Sequence, residues 1–345
     1  MNFILQKLTP DNNKLIALYV FELLLAIFVG SRDLSVGTDT LTYANRFFAM
    51  EECGCFKLNQ EFGFQLFAYL AVLTGLGVEF YFSLLSFTLF ILVNTVASKI
   101  VNTNNGKNRD ITLSYIVLAA LLISPFFVSS HINAIRQGLA SFFIFYAFLS
   151  FQNREWGKCV FISLISISIH YTSVMYIVLL GGVFISLPFL LGVISLLSLL
   201  YAAGGSEPLI AWISELTNVE LYSFIKNYQQ HIDYKSGVRY DFLLFSLFWA
   251  ILTLLFNLFL IKEQHQKIVE LCLKIYLLLL IPFLLFGFAN FSNRYVYSAW
   301  LFAAIMVATT VYFSTLWDKV KSLLPLILLS APIIFIVMVL NGFAR

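Results

Sequence analysis

The chain has 345 residues, of which 60% are hydrophobic, 17% aromatic and 11% charged, with a net charge of +3 and a mean hydropathy of +0.89. Soluble domains carry about 25% charged residues, so this chain lacks the polar groups to cover a globular surface. A charge of +3 is too small to argue for nucleic acid as a partner.

Apolar runs of about 20 residues recur from end to end, which is the hydropathy of a polytopic helical membrane protein. The alternating segments of about 10 residues that mark an outer-membrane barrel are absent. The fold expected is all-α, a single transmembrane domain over 1–345 with about eleven spans, between about ten and twelve. The first run, 15–30, follows Lys7 and Lys14. No small-residue cleavage pattern comes after it, so it reads as a retained helix and not a removed signal peptide. Further helices are expected over 78–98, 111–129, 131–151, 159–169, 171–187, 189–203, 242–261, 271–289, 295–315 and 323–340. Pro188, Pro282, Pro325 and Pro332 fall at or inside these stretches, which membrane helices tolerate better than soluble ones. A shorter amphipathic piece, 61–73, precedes Gly75-Leu76-Gly77 and is read as interfacial or re-entrant.

Basic loops set the orientation. The segments 103–110, 152–158, 262–274 and 318–321 are short and basic, which assigns them to the cytoplasm. Two longer polar segments, 31–60 and 204–241, are left for the far side; in the second, 209–215 and 219–228 suit short interfacial helices. Tyr222, Tyr228, Tyr234 and Tyr240 are available there to stack on sugars. On this layout only Lys57, Lys226 and Lys235 of thirteen lysines lie outside, against six of eight arginines: Arg32, Arg46, Arg136, Arg239, Arg294 and Arg345. The positive-inside rule explains the lysines and leaves the arginines unexplained. Guanidinium is the fork-shaped donor that grips phosphate oxygens through two parallel bonds, so the far face suits a phosphorylated, lipid-borne ligand. The plainer reading is that arginines at helix ends snorkel to headgroups.

Four polar stretches carry candidate chemistry. Arg32 is followed by Gly37-Thr38-Asp39 and Tyr43. That pattern reads as a tight turn presenting a carboxylate as general base, while on local sequence alone a helix N-cap is the plainer reading. Asn133, Arg136 and Gln137 lie just inside the outer end of an otherwise apolar helix that also holds His131. An arginine buried there costs about 2.5–3.5 kcal/mol on insertion scales and needs a partner. Ligand phosphate is the expected one, with Asp39 as the alternative. His170 sits between two apolar runs, where a histidine either transfers protons or satisfies a backbone carbonyl. Arg294 and Tyr295 lie in an outer turn before a helix, placed to clamp a diphosphate and to join an interfacial aromatic belt. No phosphate-cradling glycine loop, metal-ligand cluster or hydrolase elbow occurs; no metal and no cofactor are expected. Cys53 and Cys55 read as too close for an easy disulfide.

Taken together, Arg32 with Gly37-Thr38-Asp39 and Tyr43, Asn133 with Arg136 and Gln137, the Ser168–His170–Ser173 neighbourhood and Asn293-Arg294-Tyr295 resemble the EpsG family. That family groups with Wzy-type polymerases of O-antigen and exopolysaccharide repeat units. The resemblance implies a membrane glycosyltransferase that moves a growing glycan from undecaprenyl diphosphate onto the terminal sugar of a lipid-linked repeat unit. It implies a bacterial inner membrane, an active site facing the periplasm or exterior, and partnership with a flippase and a chain-length regulator. In those roles Arg32, Arg136 and Arg294 neutralise the leaving diphosphate, while Asp39 or His170 acts as base. Gly37, Thr38, Tyr43, Asn133, Gln137, Arg239 and Tyr295 would complete the substrate site, and in-line attack inverts the anomeric centre. A lipid-linked oligosaccharide flippase and an O-antigen ligase are the rival readings.

Overall fold

The computed structural model describes residues 10–56, 61–105, 111–220, 222, 223, 225 and 237–342. Lys57, Lys226, Lys235, Arg345, Tyr228 and Tyr234 lie outside the described residues. Within them every regular element is helical, beside one isolated bridge between Ile261 and Ser314. Among the described residues six helices are long and apolar enough to cross a membrane, or up to eight if each of two bent pairs is one span. The expected count of about eleven treated several shorter apolar helices as full spans.

The chain divides into two compact units, residues 1–174 with 318–345, and residues 175–317. In the first, α1 (Pro10–Gly30), α2 (Thr40–Cys53), α3 (Phe62–Thr74) and α4 (Gly77–Asn105) are followed by α5 (Ile111–Leu122), α6 (Pro125–Ile132), α7 (Ile135–Gln152) and α8 (Trp156–Ile169). The apolar α4 packs against α1, α3, α5 and α7, and the late helix Leu324–Leu340 returns onto α5 and α6. Inside this bundle Glu22 of α1 is fully buried, and both its carboxylate oxygens accept from Asn94 Nδ2 of α4 at 2.8 Å.

Two helices expected to be continuous are broken. The run 111–129 bends by 79° between α5 and α6, where Ser124 is extended and Pro125 opens the next helix. Proline suits that first position because its missing N–H has no partner to lose there. The run 131–151 breaks at Asn133, whose backbone leaves helical geometry, so His131 and Arg136 stand on different helices. His131 is buried against Phe90, Phe127 and Phe335, with Nδ1 3.1 Å from Ser86 Oγ.

In the second unit, helices Tyr240–Phe259, Glu263–Phe286 and Ser292–Phe313 pack together. Tyr276 Oη donates to the Ser246 carbonyl at 2.8 Å, and Trp300 Nε1 donates to Ser246 Oγ at 2.8 Å. The expected helix 271–289 starts earlier, at Glu263, so most of the anticipated basic loop 262–274 is its first turns. The stretch 171–187 is not one helix but short turns, Tyr171–Ser173, Val174–Ile177 and Leu180–Phe184. The anticipated interfacial piece near 209–215 is helix Ser206–Thr217, bent by 102° from Leu187–Ala202.

Candidate functional site

The site is built around the break between α6 and α7. The Gly37-Thr38 turn docks onto that break: the Thr38 N–H donates to Asn133 Oδ1 at 2.6 Å, and Thr38 Oγ1 lies 3.2 Å from the same oxygen. Thr40 Oγ1 sits 2.9 Å from the Ile132 carbonyl oxygen and 2.7 Å from that of Val36. Gly37 has φ +93°, left-handed backbone that glycine enters without steric cost. A Cβ on it would stand 2.3 Å from the Ile132 carbonyl oxygen. Gly37, Thr38, Thr40 and Asn133 therefore hold the turn against the interrupted helix, which starts α7 afresh and puts Arg136 on its first turn.

Arg136 Nε donates to Tyr43 Oη at 3.1 Å, and its guanidinium carbon lies 5.6 Å from the Tyr43 ring centroid. Its Nη1 forms an ion pair with Glu61. The other Glu61 oxygen, Oε1, lies 2.7 Å from His170 Nδ1. With the carboxylate ionised, that nitrogen carries the proton and donates it, a tautomer assigned from the geometry. Tyr43, Glu61, Arg136 and His170 thus arrive from four separate segments. His170 ends α8 in extended backbone, φ −151° and ψ 111°. Glu61 precedes α3 at φ 72°, a left-handed conformation uncommon for a residue with a side chain. The two meet because α3 and α8 approach closely: a Cβ on Gly63 would fall 2.2 Å from Ser168 Oγ.

The electrostatics follow from this packing. Burial pushes the Glu61 carboxyl up, but the His170 hydrogen bond and the Arg136 charge outweigh it and hold the group below its usual range. Burial raises the Tyr43 phenol against the pull of Arg136, so Tyr43 stays protonated and has its own O–H to donate. Glu61, Arg136 and Tyr43 line a cavity of about 640 Å³ together with Arg46, Phe64 and Tyr81. Cys53 and Cys55 also line it and form a disulfide. Gly54 between them takes φ 57°, a turn tight enough to bring together two sulfurs expected to stand too close in sequence to bond. Among the described residues no three His, Cys, Asp or Glu side chains stand together as metal ligands.

The counter-ion of Arg136 is Glu61, not Asp39. Asp39 occupies the N-cap position of α2 without a capping side-chain bond, and it does not line the cavity. Arg32 is only 8% exposed. Its Nη1 donates to the Val29 carbonyl at 2.7 Å and its Nη2 to Thr40 Oγ1 at 3.2 Å, with the Phe82 ring centroid 4.4 Å away. Burial draws this guanidinium down to about 10, still charged at neutral pH, and it braces the turn from behind. Gln137 is half-buried on the first turn of α7. In the second unit Arg294 is exposed beside the Phe291 ring, 4.5 Å from its centroid. The Tyr295 carbonyl accepts from Tyr176 Oη at 3.1 Å. Arg239 is paired with Asp241 at 2.6 and 2.9 Å and covers the Phe242 ring at 3.8 Å.

Glu61 and the role of Arg46 as a wall residue escaped the sequence reading. A signal for the first was present: an acid heading an apolar helix, two residues before a glycine, gives that helix a charged end needing a cation.

The model of the EpsG family matches residues 15–344. No curated protein and no solved structure matches the chain. A match over nearly the whole length, on an all-helical fold with several membrane-crossing helices, shows that this chain is a membrane protein belonging to the EpsG family.

Proposed function

We propose that this protein is a repeat-unit polymerase, a membrane glycosyltransferase that transfers a growing glycan from undecaprenyl diphosphate to the terminal sugar of a lipid-linked repeat unit. The observation that carries the reading is the Tyr43–Arg136–Glu61–His170 chain on the wall of the 640 Å³ cavity. Such a transfer needs a base for one hydroxyl, positive charge for a departing diphosphate, and a hollow that holds both in line.

In the step envisaged, the acceptor hydroxyl oxygen bonds to the anomeric carbon while the bond from that carbon to the diphosphate oxygen breaks. The diphosphate leaves with the electron pair and the hydroxyl proton passes to Glu61. Glu61 replaces Asp39 as the base because it alone of the two lines the cavity. His170, behind it, holds the carboxylate in place through Nδ1–H. Arg136 faces the leaving group, and as the diphosphate draws on its charge it loosens its hold on Glu61 and leaves that carboxylate more basic.

Two observations support a site on the outer face. From Tyr81 to Lys99 α4 rises about 27 Å, at 1.5 Å per residue, close to the thickness of a bilayer core. Tyr81 lines the cavity, whereas Lys99 joins Glu155 and Lys158 in a basic cluster at the other end. The Cys53–Cys55 disulfide at the cavity belongs in an oxidising compartment.

The test is deletion of the gene and complementation with the parent and with Arg136→Ala. The parent should restore long glycan ladders and the variant only single-repeat caps. Full ladders from the variant would refute the reading, and loss of all caps in the deletion, with repeat units trapped inside, would indicate a flippase instead.

A further inference from the structure

Arg136 cannot be the first group to meet an incoming anion, because its charge is already shared with Glu61. The cavity wall holds a second guanidinium, Arg46, one turn beyond Tyr43 on α2. Tyr43, Arg46, Met50 and Cys53 all line the hollow, and their spacing of three and four residues puts them on one face of that helix. Arg46 is exposed and makes no ion pair among the described residues. Arg46 and Arg136 both line this one cavity, beside Tyr43 and Tyr81. Two guanidiniums against one carboxylate leave the lining one positive charge in excess.

We propose that Arg46 is the residue that captures the diphosphate of the lipid-linked donor, gripping it through its fork while Arg136 remains with Glu61. This rests on the polymerase reading for the identity of the donor, but the chemistry required is only a diphosphate reaching this cavity. A planar guanidinium offers two parallel donors to two phosphate oxygens, which a lysine does not reproduce. Arg46 is a binding residue in this role, acting before any bond changes. Arg136 then receives the charge that develops on the leaving oxygen.

The full-length protein, purified in lipid nanodiscs, is titrated with farnesyl diphosphate, farnesyl monophosphate and inorganic pyrophosphate by calorimetry. The parent should bind farnesyl diphosphate more tightly than the monophosphate. Arg46→Gln should weaken the diphosphate about ten- to a hundred-fold, the range expected for losing charge-assisted bonds, and should abolish the preference over the monophosphate. Arg46→Lys should recover affinity only in part. The melting temperature of both variants should match the parent, since the side chain is exposed. Inorganic pyrophosphate binding as tightly as farnesyl diphosphate, and equally lost in Arg46→Gln, would keep the anion site and show that the lipid adds nothing to it.

Unchanged farnesyl diphosphate binding in Arg46→Gln, or no binding by the parent, overturns the assignment. A parent that binds the diphosphate in an Arg46-dependent way yet makes no polymer leaves the assignment standing and removes the polymerase reading. The two ideas therefore fail separately.

Discussion

Replacing Glu61 by glutamine keeps the shape of the side chain and removes its charge, which separates the two jobs assigned to it. Its carboxylate serves two donors, Arg136 and His170, with side-chain exposures of 13% for Glu61, 29% for Arg136 and 18% for His170. Breaking a fully buried pair by removing one partner costs about 3–5 kcal/mol. Water reaches Arg136 here, and the amide oxygen still accepts one bond, so the loss of stability should be about 1–2 kcal/mol. In a chain of this size that is a fall of roughly 1–3 °C in melting temperature. Catalysis should suffer far more, because glutamine cannot take a proton and general-base catalysis is worth about 10²–10⁴-fold in rate. The assay is extension of a purified lipid-linked repeat unit by the nanodisc-embedded enzyme, read as a ladder on a gel, beside a melting curve from tryptophan fluorescence. A Glu61→Gln enzyme that elongates within twofold of the parent would refute the assignment of the base. The double variant Glu61→Gln with Arg136→Gln should lose little beyond the worse single change, as expected of groups acting as one unit.

Three further outcomes follow from the geometry. Because the Glu61 carboxyl is held below its usual value, it adds stability at neutral pH that is lost as the pH falls below the ordinary carboxylate range and through the folded value. Melting temperature should drop with acid more steeply in the parent than in Glu61→Gln, and equal slopes would contradict this. Gly37→Ala should cost at least about 2 kcal/mol, combining left-handed backbone with a Cβ pressed on the Ile132 carbonyl; an unaltered melting curve would count against the docked turn. Alkylation of the native protein should label no cysteine before reduction and two after it, Cys53 and Cys55. Cys159 and Cys272 are buried thiols and should react only on unfolding; labelling of Cys53 without reductant would remove the disulfide.

How far the sequence was legible depends on the range of the forces at each place. The start of α4 and the length of α1 from Leu15 to Gly30 follow from hydropathy, because a long apolar run has one cheap solution in a bilayer. The break at Ser124-Pro125 is marked by proline and yet is lost in a continuous apolar run. The break at Asn133 has no such marker. It exists because Thr38 supplies donors to its side chain from 95 positions away, a contact that no local pattern announces. Arg136 was readable as a charge needing a partner. The partner itself was not, since Glu61 lies 75 positions from Arg136 and 109 from His170. Cys53 and Cys55 mislead in the opposite way: their separation argues against a bond until Gly54 turns left-handed.

One more consequence lies in the span of α4 between Tyr81 and Lys99. Because the cavity and the lysine clasp are tied to opposite ends of one rigid rod about 27 Å long, the proposed outer-face site would give the protein its own gauge of membrane thickness. In lipids with longer acyl chains both ends cannot reach their headgroup layers at once, and either the clasp or the cavity must sink into hydrocarbon. Polymer synthesis should then depend on fatty-acid length, rising to an optimum where the bilayer matches the rod and declining on either side.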